Sequence, residues 1–203
     1  MVRKTPQRRQ VIAKPTVEQL EKQLRVERER IRYRYALSTT ICMLMGIAAT
    51  AYLIATLWLP VLRVFGNSMA PTLNEGEVIV AAKSSEYEQG DIVAFYSGNN
   101  KLLIKRIIAS SGDWIDIDDA GNVTVNGTTL EEPYISQKAL GECNIDLPCQ
   151  VPDGKHFVMG DNREASIDSR NSSVGFISNE DVAGKLTLRV WPLSEVGQIE
   201  SER

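Results

Sequence analysis

Histidine is nearly absent from this chain of 203 residues, which holds one, His156. A Ser-His-Asp triad would have to use it, and no set of imidazoles is available to cage a metal. Cysteine is scarce as well: Cys42, Cys143 and Cys149 are too few for a disulfide-dense scaffold, and no second CxxC completes a zinc site. Eight prolines and fourteen glycines exclude a collagen-like or low-complexity chain. Also missing are a GxxxxGK[ST] phosphate loop, an HExxH pair and a DxDxDG calcium loop. Strong net charge is lacking too, at -3 overall.

The longest absence is of charge between Ala36 and Leu62, a run of 27 residues. About 20 apolar residues cross a hydrocarbon core of roughly 30 Å, so the run predicts one membrane span with Pro60 at its outer end. Tyr35, Tyr52 and Trp58 are placed to anchor at interfaces. A buried core helix is the alternative for such a run.

The span separates two charge regimes. Residues 1–34 carry eleven Lys/Arg and four Asp/Glu; residues 35–203 carry twelve and twenty-two. Arg25, Arg28, Arg30, Arg32 and Arg34 precede the span, and Arg63 alone follows closely, so the positive-inside rule keeps the N-terminus cytoplasmic and the remainder outside. A cleaved leader is the competing reading, with Ala49-Thr50-Ala51 as a small-x-small site. The basic head is too long for that, and the apolar run continues past Ala51. The expected organisation is a basic cytoplasmic segment over 1–34, a transmembrane anchor over 35–62 and an extracytoplasmic domain over 63–203. Within the head, 17–34 reads as a short helix near anionic lipid or a weak coiled coil, and 1–16 as an unstructured tail.

Beyond Leu62 the apolar runs become short and β-branched: 78–80, 92–95, 102–104, 115–117, 123–125, 157–159 and 186–190. Turn residues such as Gly90-Asp91, Gly121-Asn122 and Asn126-Gly127 bound them. Ile115–Ile117 and Val123–Val125 predict a hairpin. The domain is expected to be mostly β, as antiparallel sheets or a partly closed barrel. Its acidity disfavours nucleic acid. Cys143 and Cys149 flank a short loop and are able to close a disulfide in an oxidising compartment.

Three clusters stand out. Gly66-Asn67-Ser68-Met69-Ala70-Pro71-Thr72-Leu73 has an irregular backbone that can present Ser68, or it is an ordinary linker. Leu102-Leu103-Ile104-Lys105-Arg106-Ile107-Ile108 sets two bases among aliphatics. Strand alternation would turn one of them inward, or the segment is an edge strand with a solubilising lysine. Gly160-Asp161-Asn162-Arg163 with Ser166, Asp168, Ser169 and Arg170 is otherwise a polar surface loop.

Taken in this order behind a membrane anchor, the three resemble the motif boxes of the bacterial type I signal peptidases, a family of membrane-bound serine proteases. Ser68-Met69-Ala70-Pro71-Thr72-Leu73 is similar to the family's SMxPTL box. Lys105-Arg106 through Gly112-Asp113 is similar to its KRhhxxxGD box, and 160–170 to its GDNRxxSxDSR box. Trp191-Pro192-Leu193 matches a common ending, and the resemblance covers about 38–198.

The resemblance implies Ser68 as nucleophile and Lys105 as general base, with Ser166 orienting the lysine. It implies that Arg106 with Asp161, and Asp168 with Arg170, brace the site, and that Asn162 is structural. It further implies secretory preproteins as substrates, cut after small-x-small motifs at the outer membrane face. Met69 and Ile104 would line the shallow pockets, and the substrate would add to a sheet edge near Lys105. Membrane lipid is the other expected partner; no metal, organic cofactor or nucleic acid is required. Physical chemistry adds a condition: an ordinary lysine is almost wholly protonated at neutral pH, so Lys105 must be desolvated and free of a contacting carboxylate. The Ser68 N–H is the natural first oxyanion donor; Gly66 departs from members that place a serine hydroxyl two residues before the nucleophile, which suggests a backbone group or water in place of that hydroxyl. Two other readings remain. One is a self-cleaving repressor, similar in its Ser-Lys pair and its Gly90–Ala94 strand. The other is a membrane-anchored β domain that binds exported proteins without catalysis.

Overall fold

The computed structural model describes residues 16–98, 101–199 and 201, with the backbone alone for 54–58. The tail expected over 1–16 therefore lies outside the described residues, apart from Thr16. Two compact units divide the chain, Met1–Leu53 and Ile54–Arg203.

The described part of the first unit is helical and belongs to α1 (Val17–Trp58), a helix of 42 residues. The start is set by a capping pair, in which the Gln19 side chain accepts the Thr16 N–H at 3.2 Å. No proline or glycine interrupts the next turns, and Leu, Gln, Glu and Arg favour helix. Residues 17–34 and the apolar run as far as Trp58 therefore form one continuous helix, where the sequence suggested a short helix followed by a span. Hydroxyls within the apolar part are satisfied internally: Thr39, Thr40 and Thr50 donate to the carbonyls four residues back, each at 2.9 Å. The helix is long and apolar enough to cross a membrane, by length and composition. It ends at Trp58 because Pro60 has no N–H to donate and disfavours helical backbone at the residue before it.

In the second unit the strands are β1 (Val61–Arg63), β2 (Val78–Ala82), β3 (Ile92–Tyr96), β4 (Leu102–Ser110), β5 (Trp114–Ile117) and β6 (Val123–Val125). They continue as β7 (Thr128–Thr129), β8 (Cys149–Gln150), β9 (Lys155–Met159), β10 (Ile177–Ser178), β11 (Val182–Trp191) and β12 (Gly197–Gln198). One sheet runs β1-β2-β11-β3-β4-β9-β10, with β12 added to β11, and the other β7-β6-β5-β8. Every pairing is antiparallel. The fold is thus mostly antiparallel β, and neither sheet closes on itself among the described residues. All seven short apolar runs fall in strands, and the hairpin expected over 115–125 pairs Ile115 with Val125 and Ile117 with Val123. Asn126 and Gly127, both at positive φ, form the tight turn between β6 and β7. One boundary shifts: Val61 and Leu62 pair with β2, so the sheet begins inside the charge-free run.

Buried clusters pack both faces of the central strands. On one face lie Ile108, Phe157 and Met159 together with Ile79, Ile92, Ala94 and Leu186; on the other lie Val93, Phe95, Ile107, Val158 and Val182. Burial on both sides corrects the expectation for β4. Alternation still points Lys105 and Arg106 to opposite faces, but neither meets water: Lys105 is 3% exposed and Arg106 1%. Cys143 and Cys149 are half-buried and free.

Phe157 is fully buried, and its ring meets Phe176 edge-on with centroids 5.9 Å apart. Phe157→Ala is expected to lower unfolding stability by about 3–5 kcal/mol, read from the denaturant midpoint of the detergent-solubilised protein.

Candidate active site

The site is assembled from three chain segments. Residues 64–73 leave β1 and turn back through Gly66, which takes a φ of +79° that glycine adopts without strain. Val64, Met69 and Leu73 anchor this segment in the core, so the polar residues between them stay at the surface of the turn. The second segment is the first half of β4. It pairs with β3 over 102–106, whereas pairing with β9 begins only at Arg106. Residues 102–105 thus have a ladder partner on one side alone among the described strands. The third segment, 160–170, follows β9, beside β4.

Lys105 Nζ donates to Ser68 Oγ at 2.6 Å. Burial drives the amine from its ordinary 10.5 down to about 8, against the opposing fields of Asp168 and Asp161 and with help from Arg170. Neither carboxylate is left free to pair with the lysine. Asp161 is gripped by Arg106 through Nε at 3.0 Å and a terminal nitrogen at 2.7 Å, and it also accepts the Thr72 hydroxyl at 2.5 Å. Asp168 accepts from Arg170 at 2.8 and 2.7 Å and from the Gly160 N–H at 2.9 Å. A contacting anion would hold the proton on Lys105; two neutralised ones exert only a distant pull.

Gly160 packs where no side chain fits. A Cβ there would lie 2.5 Å from the Ser68 carbonyl oxygen and 2.3 Å from Ser166 Oγ. Ser166 is therefore pressed against this strand end, with its hydroxyl buried and without a hydrogen-bond partner among the described residues. The hydrogen bond expected from Ser166 to Lys105 is not formed in this structure, where the lysine amine is directed to Ser68. Gly160→Ala must displace the Ser68 turn or Ser166. It is expected to lower any turnover that depends on the Ser68–Lys105 contact by more than roughly tenfold, measured beside the parent.

Met69 and Ile104 both line a cleft of about 310 Å³ that runs between residues 61–69 and 102–105. Ser68 and Lys105 sit in the same cleft. His156 is not part of it: the ring contacts Ser110 Oγ at 3.0 Å and Asn179 Oδ1 at 2.7 Å.

Sequence reading missed a third buried ion pair. Arg163 makes two hydrogen bonds to the Glu132 carboxylate, and its Nε donates to the Gly160 carbonyl at 3.1 Å. Tyr134 donates to the same carboxylate at 3.0 Å and lays its ring 3.8 Å from the Arg106 guanidinium. Burial, with Glu132 beside it, pushes the Tyr134 phenol well above its usual range. Glu131-Glu132-Pro133-Tyr134 reads as an exposed loop, and no local pattern marks it as a clamp on two arginines.

A buried amine against a hydroxyl, in an open apolar cleft, suits hydrolytic chemistry, and the comparisons agree. The model of the family described as signal peptidase, peptidase S26, matches residues 35–191. Signal peptidase I of Bacillus licheniformis is 38% identical over 144 residues, covering 64% of this chain and 76% of the relative. Signal peptidase IB of Staphylococcus aureus (strain COL) is 36% identical over 149 residues, with the same shares covered. A crystal structure of a signal peptidase I from Enterococcus faecalis V583 aligns with a TM-score of 0.43 at 30% identity, covering 51% of this chain and 98% of that one. The protein is a serine peptidase, a hydrolase. More narrowly, the chain belongs to the signal peptidase family, peptidase S26.

A lysine whose pKa falls on folding destabilises the protein while it is charged. The cost is full below about 8, shrinks as pH rises towards 10.5 and vanishes above it. Lys105→Met should therefore unfold at a higher denaturant midpoint at pH 7, by on the order of 3 kcal/mol less the lost Ser68 hydrogen bond. The difference should narrow between pH 8 and 10.5.

Proposed function

We propose that the protein is a signal peptidase I whose nucleophile is Ser68 and whose general base is Lys105. The observation that carries this reading is the 2.6 Å contact between a buried amine and that hydroxyl. Lys105 takes the Ser68 proton as Oγ adds to the scissile carbonyl carbon. The oxyanion accepts a hydrogen bond from the Ser68 N–H, which has no acceptor of its own among the described residues. Collapse expels the new amino terminus, which takes its proton from Lys105. Water, deprotonated by the same amine, then hydrolyses the ester.

Asp161 with Arg106 and Asp168 with Arg170 brace this pair, and Ser166 borders it. Met69 and Ile104 contribute to shallow pockets for small side chains. The unpaired edge of 102–105 is where an extended substrate would add as a strand, beside the cleft. Such a site fits the small-x-small end of a secretory signal peptide.

The same reading assigns the chain's organisation. Residues 1–34 stay in the cytoplasm, the apolar helix from 35 to Trp58 forms a single anchor, Val61 and Leu62 already belong to the sheet, and 63–203 work outside. The arginines before the apolar run support the orientation. Ser68 follows the helix end by ten residues, which suits cleavage at the outer membrane face.

Purified in detergent and given a preprotein with an Ala-x-Ala site, the parent should release the mature protein. Ser68→Ala and Lys105→Ala should each lose at least about a thousandfold in kcat. An inactive parent, or a fully active Ser68→Ala, would leave the non-catalytic β domain as the better account. The base must be neutral to act, so kcat/KM should rise with pH through about 8 and level off above it. A limb near 10 would refute the desolvated base.

A further inference from the structure

Asn162 makes two contacts with the turn that carries Ser68. Its backbone N–H donates to the Ser68 carbonyl at 3.0 Å, and its side-chain Nδ2 donates to the Asn67 carbonyl at 3.3 Å. The orientation of the amide is fixed by its other end, since Oδ1 accepts the Ala165 N–H at 3.4 Å. Only Nδ2 can then face Asn67.

The Asn67 carbonyl and the Ser68 N–H belong to one peptide unit. That unit is planar and trans, so its C=O and N–H point in opposite directions. Whatever holds the carbonyl aims the N–H. Two donors hold it: the Ala70 N–H at 3.1 Å, from within the turn, and Asn162 Nδ2, from across the site. The other flank of the unit has little support. Gly66 is exposed, sits at a φ of +79°, and has nothing within 4 Å of where a side chain would begin. A glycine there leaves the chain free to rotate unless the peptide plane is tied elsewhere.

We infer that the Asn162 side chain is a positioning residue for the oxyanion donor: by holding the Asn67 carbonyl it aims the Ser68 N–H at the developing charge. This rests on the proposed role of Ser68. Asn162 holds the carbonyl side of the peptide and is not among the residues that line the cleft, so the group acts without touching substrate. With no hydroxyl at Gly66 to reach the oxyanion, the backbone donor at Ser68 has to be well aimed.

The test uses the full-length protein in detergent, with Ser68→Ala as reference and two variants. Asn162→Ala deletes the amide. Asn162→Asp keeps its shape but replaces the donor with an acceptor that repels the Asn67 carbonyl. Asn162 sits half-exposed, so folding is expected to survive in both variants. Read above pH 9, where Lys105 is neutral, kcat should fall roughly 10- to 100-fold in both variants with KM within about threefold. The ascending limb of the Asn162→Ala profile should stay near that of the parent.

A peptide aldehyde ending in Ala-x-Ala supplies the second readout. The Ser68 hydroxyl adds across its carbonyl, Oγ bonding to carbon while the proton is relayed through Lys105, so that the former carbonyl oxygen lies at the Ser68 N–H. The inhibition constant of the aldehyde should weaken in step with kcat, while that of the matching peptide amide should not change. An Asn162→Asp that works as well as the parent would overturn the inference, because shape alone would then suffice. So would equal weakening of aldehyde and amide, or a loss confined to KM. An active Ser68→Ala would instead remove the reading on which the inference stands, and is recognised from that variant alone.

Discussion

An amine kept dry is the constraint around which this structure is arranged. Lys105 lies 2.6 Å from a hydroxyl and is almost wholly buried. In water it would be an ammonium. Nothing in its own side chain alters that; the change comes from the aliphatic strand around it and from the way nearby charge is handled. Two aspartates stand close enough to pull its pKa upward, and each is held by an arginine that is itself buried. Burial wins because the carboxylates are already satisfied.

The three arginine–carboxylate pairs look extravagant as a source of stability. Buried ion pairs commonly do no better than apolar residues of the same size. Their arrangement makes more sense as geometry. Arg106 ties Asp161 to β4, Arg170 ties Asp168 to the loop carbonyl of Leu140, and Arg163 ties Gly160 to Glu132. Together they fix the 160–170 segment against the turn that carries Ser68, with Gly160 as the contact point too narrow for a methyl group. A rigid frame suits a site whose proposed base and nucleophile must meet without an intervening histidine.

The strands were easy to see in the sequence because β-branched runs between glycine and asparagine turns have few other solutions. Harder was the burial of both Lys105 and Arg106. Alternation assigns them to opposite faces, but it cannot say that both faces are covered, since the cover comes from residues 64–73 and 130–170, both remote in the chain. The same limit hid Glu132 and Tyr134. Their neighbours in sequence form no recognisable pattern, and their meaning lies in the arginines they touch. Ser166 shows the reverse case: the motif suggested a bond to the lysine, whereas the folded chain presses its hydroxyl onto Gly160.

The sequence by itself determined the charge-free run and the basic residues before it, the strand pattern, and the order of the three motif boxes that points to the family. These are local or statistical properties, and hydrophobic periodicity and backbone preference are enough to express them. Only the tertiary structure decided that Lys105 loses its water, that each aspartate near it is spoken for, and that Asn162 reaches back to the peptide in front of Ser68. Those outcomes depend on segments 37 to 95 residues apart meeting at hydrogen-bond distance. No local rule encodes such a meeting; it follows from how the sheet orders its strands.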